Sequence, residues 1–236
     1  MTRLVRRPCW FPTPLAPRGL SVAIIGPDGA GKSTLVHALH TAAAVPTEIV
    51  YMGCNPGSIT HCLPTTRWMQ RSDARARGGC PVANPGRPRC TSRTRLLLRA
   101  LRELVGLAHQ LLEYAYRFSV AYAARCRGTM VLFDRYVYDL LIDALVDGTS
   151  PWHRVRARLF AQIFPRPDIV LILDAPGSLL FARKGEHTPE RLERLRHAYQ
   201  QIAQTLPCIV YLDAAQAPAD VLREAMAAIQ QHREDR

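Results

Sequence analysis

Ser21-Val22-Ala23-Ile24-Ile25-Gly26-Pro27-Asp28-Gly29-Ala30-Gly31-Lys32-Ser33-Thr34 runs from a β-branched strand pattern, Ser21–Ile25, through a glycine-rich turn into a helix-compatible stretch over 33–44. Residues 26–33 match G-x-x-x-x-G-K-[ST]. Each residue type has a chemical reason there. Glycines let the backbone curl so that successive amides face inward, and the helix that follows adds the positive end of its dipole. A lysine at position 32 reaches β- and γ-phosphates, and the hydroxyl of Ser33 suits Mg²⁺. A strand before the turn and a helix after it set this apart from an ordinary glycine turn, so residues 26–34 are the expected ATP-binding loop.

Outward from the loop, Glu48–Met52, Thr129–Phe133, Asp168–Leu173 and Cys208–Leu212 are further apolar, β-branched runs. Helical patterns separate them at 136–146, 151–163, 189–205 and 218–232, with a short one over Ser178–Ala182. Continuous apolar strands alternating with helices predict an α/β three-layer fold: a five-stranded parallel sheet covered on both faces. Ligands on such sheets bind at the carboxyl ends of the strands. From Leu97 the apolar positions 97, 101, 104, 108, 111, 115, 118 and 122 fall on one helical face, predicting a long helix packed on the core.

The chain has 236 residues, 48% of them hydrophobic, enough for one domain over 21–236 with a self-sufficient core. That composition excludes a disordered tail, a collagen-like fibre and a disulfide-stapled miniprotein. No apolar run approaches the ~20 residues that span a bilayer. The seven cysteines form no CxxC pair, which predicts reduced thiols and a cytoplasmic protein; zinc at Cys54, Cys62, Cys80 and Cys90 lacks the paired short spacing. Residues 1–20, with Arg3, Arg6, Arg7, Arg18 and four prolines, read as a flexible basic arm. Residues 53–93 form an irregular insert rich in Arg and Cys.

The net charge of +12 favours polyanionic partners without choosing among them. Only two of the 31 basic residues are lysines, Lys32 and Lys184, so both mark places where a compact ammonium is not replaced by a guanidinium. Asp134-Arg135-Tyr136 follows the Thr129–Phe133 run, where a phosphate-loop fold places an acidic Mg²⁺ partner; Arg135 beside it suits a two-pronged grip on phosphate. Arg183-Lys184-Gly185-Glu186-His187-Thr188-Pro189 reads as a mobile lid that carries cations to a transferring phosphoryl group. Asp174-Ala175-Pro176-Gly177 imitates the D-x-x-G of GTPases, yet no N-K-x-D motif accompanies it. Ten arginines over 67–104 leave open a nucleotide-binding module with polyanion affinity, although nucleic acid is not the expected partner.

Taken together, the phosphate loop, Asp134-Arg135-Tyr136, Pro167-Asp168 leading to Leu173-Asp174, and the lid with Glu193, Arg196 and Tyr199 resemble the thymidylate kinase family of nucleoside monophosphate kinases. The resemblance spans about residues 21–230. It implies γ-phosphoryl transfer from Mg-ATP to a nucleoside monophosphate, dTMP first, with a homodimer compatible. It places Asp28, Arg135 and Tyr136 on the acceptor side and makes Lys32, Arg135, Arg183 and Lys184 the catalytic candidates. Ser33 and Asp134 are the metal candidates. Gly29 stands where some members carry a basic residue, so the cation is expected from the lid. The sequence departs from the family at Cys54-Asn55-Pro56-Gly57-Ser58-Ile59, against Arg-Glu-Pro-Gly-Gly-Thr. It departs again at Val137–Ala144, where Ser and Ala-Tyr-Gln-Gly are usual. A kinase of another small acceptor, a sugar or a nucleoside, therefore stands beside dTMP.

Overall fold

The computed structural model describes residues 19–53, 61–63, 66, 93–147, 151–206 and 208–235. The expected basic arm lies outside them but for Gly19 and Leu20, as does most of the 53–93 insert, with Cys54, Cys80 and Cys90.

The strands are β1 (Ser21–Ile25), β2 (Thr47–Tyr51), β3 (Met130–Asp134), β4 (Ile169–Asp174) and β5 (Ile209–Asp213). Among the described residues the helices are α1 (Lys32–Ala42), α2 (Arg93–Cys126), α3 (Val137–Val146), α4 (Pro151–Ile163), α5 (Gly177–Lys184), α6 (Pro189–Ala203) and α7 (Pro218–Glu234). All strand pairs are parallel, in the order β2-β3-β1-β4-β5. The architecture is the three-layer α/β fold of phosphate-loop kinases.

Burial explains the order. Every residue of β1 and β3 is buried, as central strands covered on both faces require, whereas the edge strands β2 and β5 are partly exposed. The register sets Ile24 against Asp134 and Ile25 against Ile172, so the phosphate loop leaves the sheet beside the carboxyl ends of β3 and β4. At the opposite end of the sheet, Asp168 Oδ2 accepts from Ser21 N (2.8 Å), Ser21 Oγ (2.6 Å) and Arg125 Nη2 (2.7 Å). That cluster closes the amino ends of β1 and β4 onto α2 and leaves the carboxyl ends for ligands.

The long helix forms, but it turns a different face to the core. Leu101, Leu104 and Tyr122 are 56%, 59% and 46% exposed, and of the expected line's described side chains only Leu111 and Phe118 pack on the core. Glu113, Tyr114, Arg117, Ala121 and Ala124 are buried instead. The cause is hydrogen bonding. Tyr114 Oη donates to Met52 O (2.9 Å), and Arg117 donates to Tyr51 O (3.2 Å), Gly53 O (3.0 Å) and Glu113 Oε1 (2.9 Å). Unpaired carbonyls at the end of β2 would be costly in the interior, so polar residues on α2 go inward to satisfy them. Apolar periodicity does not register that demand.

Candidate active site

The phosphate loop needs its glycines. Gly26 and Gly29 hold φ of 151° and 88°, in the region L side chains avoid. A Cβ at Gly26 would lie 2.7 Å from Leu173 O, and one at Gly29 would lie 2.7 Å from Leu180 O. The loop is therefore clamped between the end of β4 and α5. Position 29 has no room for a basic side chain, so a cation here must come from elsewhere.

Lys32 opens α1 and is buried. Its Nζ donates to Gly26 O and Pro27 O, both at 2.8 Å. Burial and then Arg135 push the ammonium's pKa down, against Asp139, Asp28 and Asp134, which support the charge. Ser33 Oγ donates to Asp134 Oδ2 at 2.7 Å. Asp134 Oδ1 is buried and has no hydrogen-bond partner among the described residues. A hydroxyl and an orphaned carboxylate oxygen at a phosphate loop form an all-oxygen donor set that fits Mg²⁺. Ser33 and Asp134 would hold the ion there.

Asp28 is the electrostatic hub. Arg135 Nη2 reaches its Oδ1 at 2.5 Å, with Lys32 Nζ at 3.8 Å and Lys184 Nζ at 3.9 Å, while His187 Nε2 lies 3.6 Å from Oδ2. Burial raises the carboxyl's pKa, but Lys32, Arg135 and Lys184 outweigh it and hold the group at about 2. Arg135 itself has φ of 68° while its amide donates to Ile24 O at 3.1 Å. The left-handed turn lets the chain leave β3 still bonded to β1, with the guanidinium aimed at the loop.

Beside this hub lies a cavity of about 220 Å³ lined by Tyr51, Met52, Gly53, Tyr114, Arg135, Tyr136, Asp139, Leu140 and Asp143. Tyr136 lines it, but its hydroxyl is committed to the carbonyl of Pro165. Asp139 is buried and satisfied: Tyr199 Oη donates to Oδ1 at 2.5 Å, and Tyr136 N donates to Oδ2 at 3.0 Å, capping α3. Asp143 stands one turn further along α3, and burial followed by the neighbouring Asp139 raises its pKa to about 6.

The residues of the expected lid divide: Arg183 and Lys184 form the last turn of α5. Lys184 points to Asp28 and Glu186, whereas Arg183 Nη1 donates to Ala214 O (2.8 Å), beyond the end of β5. Further on, Arg191 makes a two-pronged pair with Asp147, both contacts at 2.8 Å, tying the start of α6 to the end of α3. Asp174, the residue that imitated a GTPase motif, is held by Arg196 at 2.7 and 3.1 Å. Glu193 accepts from Gly177 N at 2.9 Å, so this stretch braces α5 against α6.

Sequence reading thus located Asp28, Lys32, Ser33, Asp134, Arg135 and Lys184, which the structure brings together. It assigned no role to Tyr51, Tyr114, Asp139 or Asp143. Asp139 and Asp143 did carry a signal, being four residues apart and so on one helical face behind Arg135.

No family model matches the chain. It is 30% identical over 223 residues to a protein of Xanthomonas campestris pv. campestris (strain B100) named thymidylate kinase, covering 91% of this chain and 85% of that relative. Thymidylate kinases of Xanthomonas euvesicatoria pv. vesicatoria and of Xanthomonas oryzae pv. oryzae are each 29% identical over the same shares.

Proposed function

This chain belongs to the thymidylate kinase family and is a nucleoside monophosphate kinase-type phosphotransferase; from that premise we propose that it moves the γ-phosphoryl group of Mg-ATP to a nucleoside monophosphate, with dTMP the first acceptor to test. The observation that carries this reading is the convergence of Lys32, Arg135 and Lys184 on Asp28 of the phosphate loop, with Arg135 also lining the neighbouring cavity.

In this reading an acceptor phosphate oxygen attacks the γ-phosphorus, the bond to the β,γ-bridging oxygen breaks, and ADP leaves with the electron pair. Little covalent work falls to the protein in such a transfer; position and charge do most of it. Loop amides and Lys32 hold the donor's phosphates. Arg135 grips the acceptor phosphate with two parallel N–H groups, keeping it in line with the donor. Asp28 keeps that guanidinium aimed and faces the acceptor. Lys184, with Arg183 behind it on the lid, supplies positive charge to the transferring group. Bound Mg²⁺, held by Ser33 and Asp134, would neutralise charge on the β- and γ-oxygens.

No helix among the described residues is long and apolar enough to cross a membrane. The deciding experiment is coupled ATP consumption with dTMP and other nucleoside monophosphates, in the wild type and in Lys32→Ala. Acceptor-dependent ADP release lost in the variant supports the reading. ATP turnover that no acceptor stimulates refutes it.

A further inference from the structure

We propose that His187 is a further catalytic residue: its Nε2–H donates a hydrogen bond to a non-bridging oxygen of the transferring phosphoryl group, beside Lys184. This rests on the phosphotransferase reading above and adds to it a donor that is neither lysine nor arginine.

The geometry starts from Asp28. Four side chains turn nitrogens to this one carboxylate: Arg135 at 2.5 Å, Lys32 at 3.8 Å and Lys184 at 3.9 Å from Oδ1, and His187 Nε2 at 3.6 Å from Oδ2. Only Arg135 stands within hydrogen-bond range. The other three are drawn in by charge and stop short of bonding. A ring of nitrogens that gathers on a carboxylate is also what the equatorial oxygens of a transferring phosphoryl group need, and Lys32 in that ring is the residue suited to β- and γ-phosphates. Lys32 and Lys184 have other partners, the carbonyls of Gly26 and Pro27 and the carboxylate of Glu186. The imidazole of His187 makes no hydrogen bond to a described residue. Asp28 is ionised and can only accept, so Nε2 facing it carries a proton, and the ring presents a donor whether neutral or charged.

The backbone presets this donor. Residues 185–188 are all that join α5 to α6, and a helix cap closes each end of the link. Gly185 N donates to Phe181 O at 2.7 Å, and Thr188 Oγ1 accepts from Arg191 N at 3.3 Å, with Pro189 opening α6. Between the caps His187 takes a φ of 65°, a left-handed conformation uncommon for a residue with a side chain. Glu193, accepting from Gly177 N, braces the two helices against each other. So short a link moves with its helices and carries the imidazole at a fixed height above the phosphate loop. Donors held ready where charge develops act without reorganising as the reaction proceeds.

At 35% exposure His187 is open to a ligand on one side and faces Asp28 on the other. In the transfer, an acceptor phosphate oxygen bonds to the γ-phosphorus while the bond to the β,γ-bridging oxygen breaks and its electron pair leaves with ADP. His187 keeps its proton throughout. Its part is to meet negative charge on the phosphoryl oxygens as they spread into the transition state.

The test follows phosphorylation of dTMP, or of the nucleoside monophosphate the wild type uses best, by the wild type, His187→Asn and His187→Gln. Calorimetry measures ATP, the acceptor, and ADP–aluminium fluoride with acceptor as the transition-state analogue. Asparagine accepts the left-handed backbone but falls short of Nε2, whereas glutamine reaches further and keeps an N–H. A hydrogen bond to a charged group corresponds to about 10- to 100-fold, and partial exposure puts this one at the lower end. His187→Asn should lower kcat about tenfold, weaken the analogue complex by about the same factor, and leave KM for both substrates within about threefold. His187→Gln should recover kcat to within about threefold of the wild type. Full kcat in His187→Asn, or a loss that falls on KM with the analogue bound as tightly as before, overturns the role of His187 while leaving phosphoryl transfer standing. Wild-type ATP turnover that no nucleoside monophosphate stimulates overturns the underlying reading and this one with it.

Discussion

On the proposed reading the donor wall takes its chemistry from one continuous segment, Gly26–Ser33, whereas the acceptor wall assembles Tyr51, Tyr114, Arg135 and Asp143 from β2, α2, the turn after β3 and α3. A triphosphate presents the same oxygens in every enzyme, so a short stretch of backbone amides with one ammonium suffices to meet it. An acceptor differs in shape and donors from one enzyme to the next, and meeting it takes side chains from elements far apart in sequence. The donor wall is therefore generic, and the acceptor wall is where specificity has to be built.

Substitutions can break this contrast. The largest effect is expected from Lys32→Ala, which should lower kcat by about 10³- to 10⁵-fold with an unchanged circular dichroism spectrum. Arg135→Met should lower kcat/KM for the acceptor by about 10²-fold and leave ATP affinity within about threefold, which calorimetry with each ligand separates. Equal losses for both ligands would show that the two walls act as one. Lys184→Ala should slow turnover about tenfold, since its ammonium is half-exposed and partly screened. Arg183→Ala, whose guanidinium is tied to Ala214, should slow it less, and the reverse order would exchange their roles on the lid.

The smallest effect is on stability. Asp143 has a folded-state pKa of about 6 against 3.8 for the free residue. Between those values the folded chain holds the proton that the unfolded chain has released, so the carboxyl's ionisation destabilises the fold as pH rises from about 4 to 6 and fully above that. Asp143→Asn should thus raise Tm by about 2–4 °C at pH 8, with the gain shrinking to nothing near pH 4. Calorimetric scans across that range check it. A gain independent of pH would mean that the substitution acts through packing instead.

The strands were legible because buried parallel strands leave uninterrupted β-branched runs, and each was placed within a residue of its position, β3 at Met130–Asp134 against an expected 129–133. That one-residue shift puts Asp134 on the last rung, beside Ile24, fixed enough to meet Ser33. The phosphate loop was legible because all its parts are neighbours in sequence. The face of α2 was not, because Tyr114 and Arg117 are buried to satisfy carbonyls of β2 more than sixty residues earlier, a demand without periodicity. The tie of Asp174 to Arg196 was hidden in the same way, and a motif-like spelling stood in front of it. The spacing of Asp139 and Asp143 announced a shared face of α3, but that this face meets the cavity is set by how α3 comes together with β2 and α2, which no local pattern reveals.

Arg135 sits in a left-handed conformation that a glycine or asparagine would adopt more easily. Glycine or asparagine there would relax the backbone but forfeit the ion pair with Asp28 and, on the proposed reading, the grip on the acceptor phosphate. Backbone ease and side-chain charge thus pull position 135 in opposite directions, and an effort to toughen the enzyme on the proposed reading would hold Arg135 fixed.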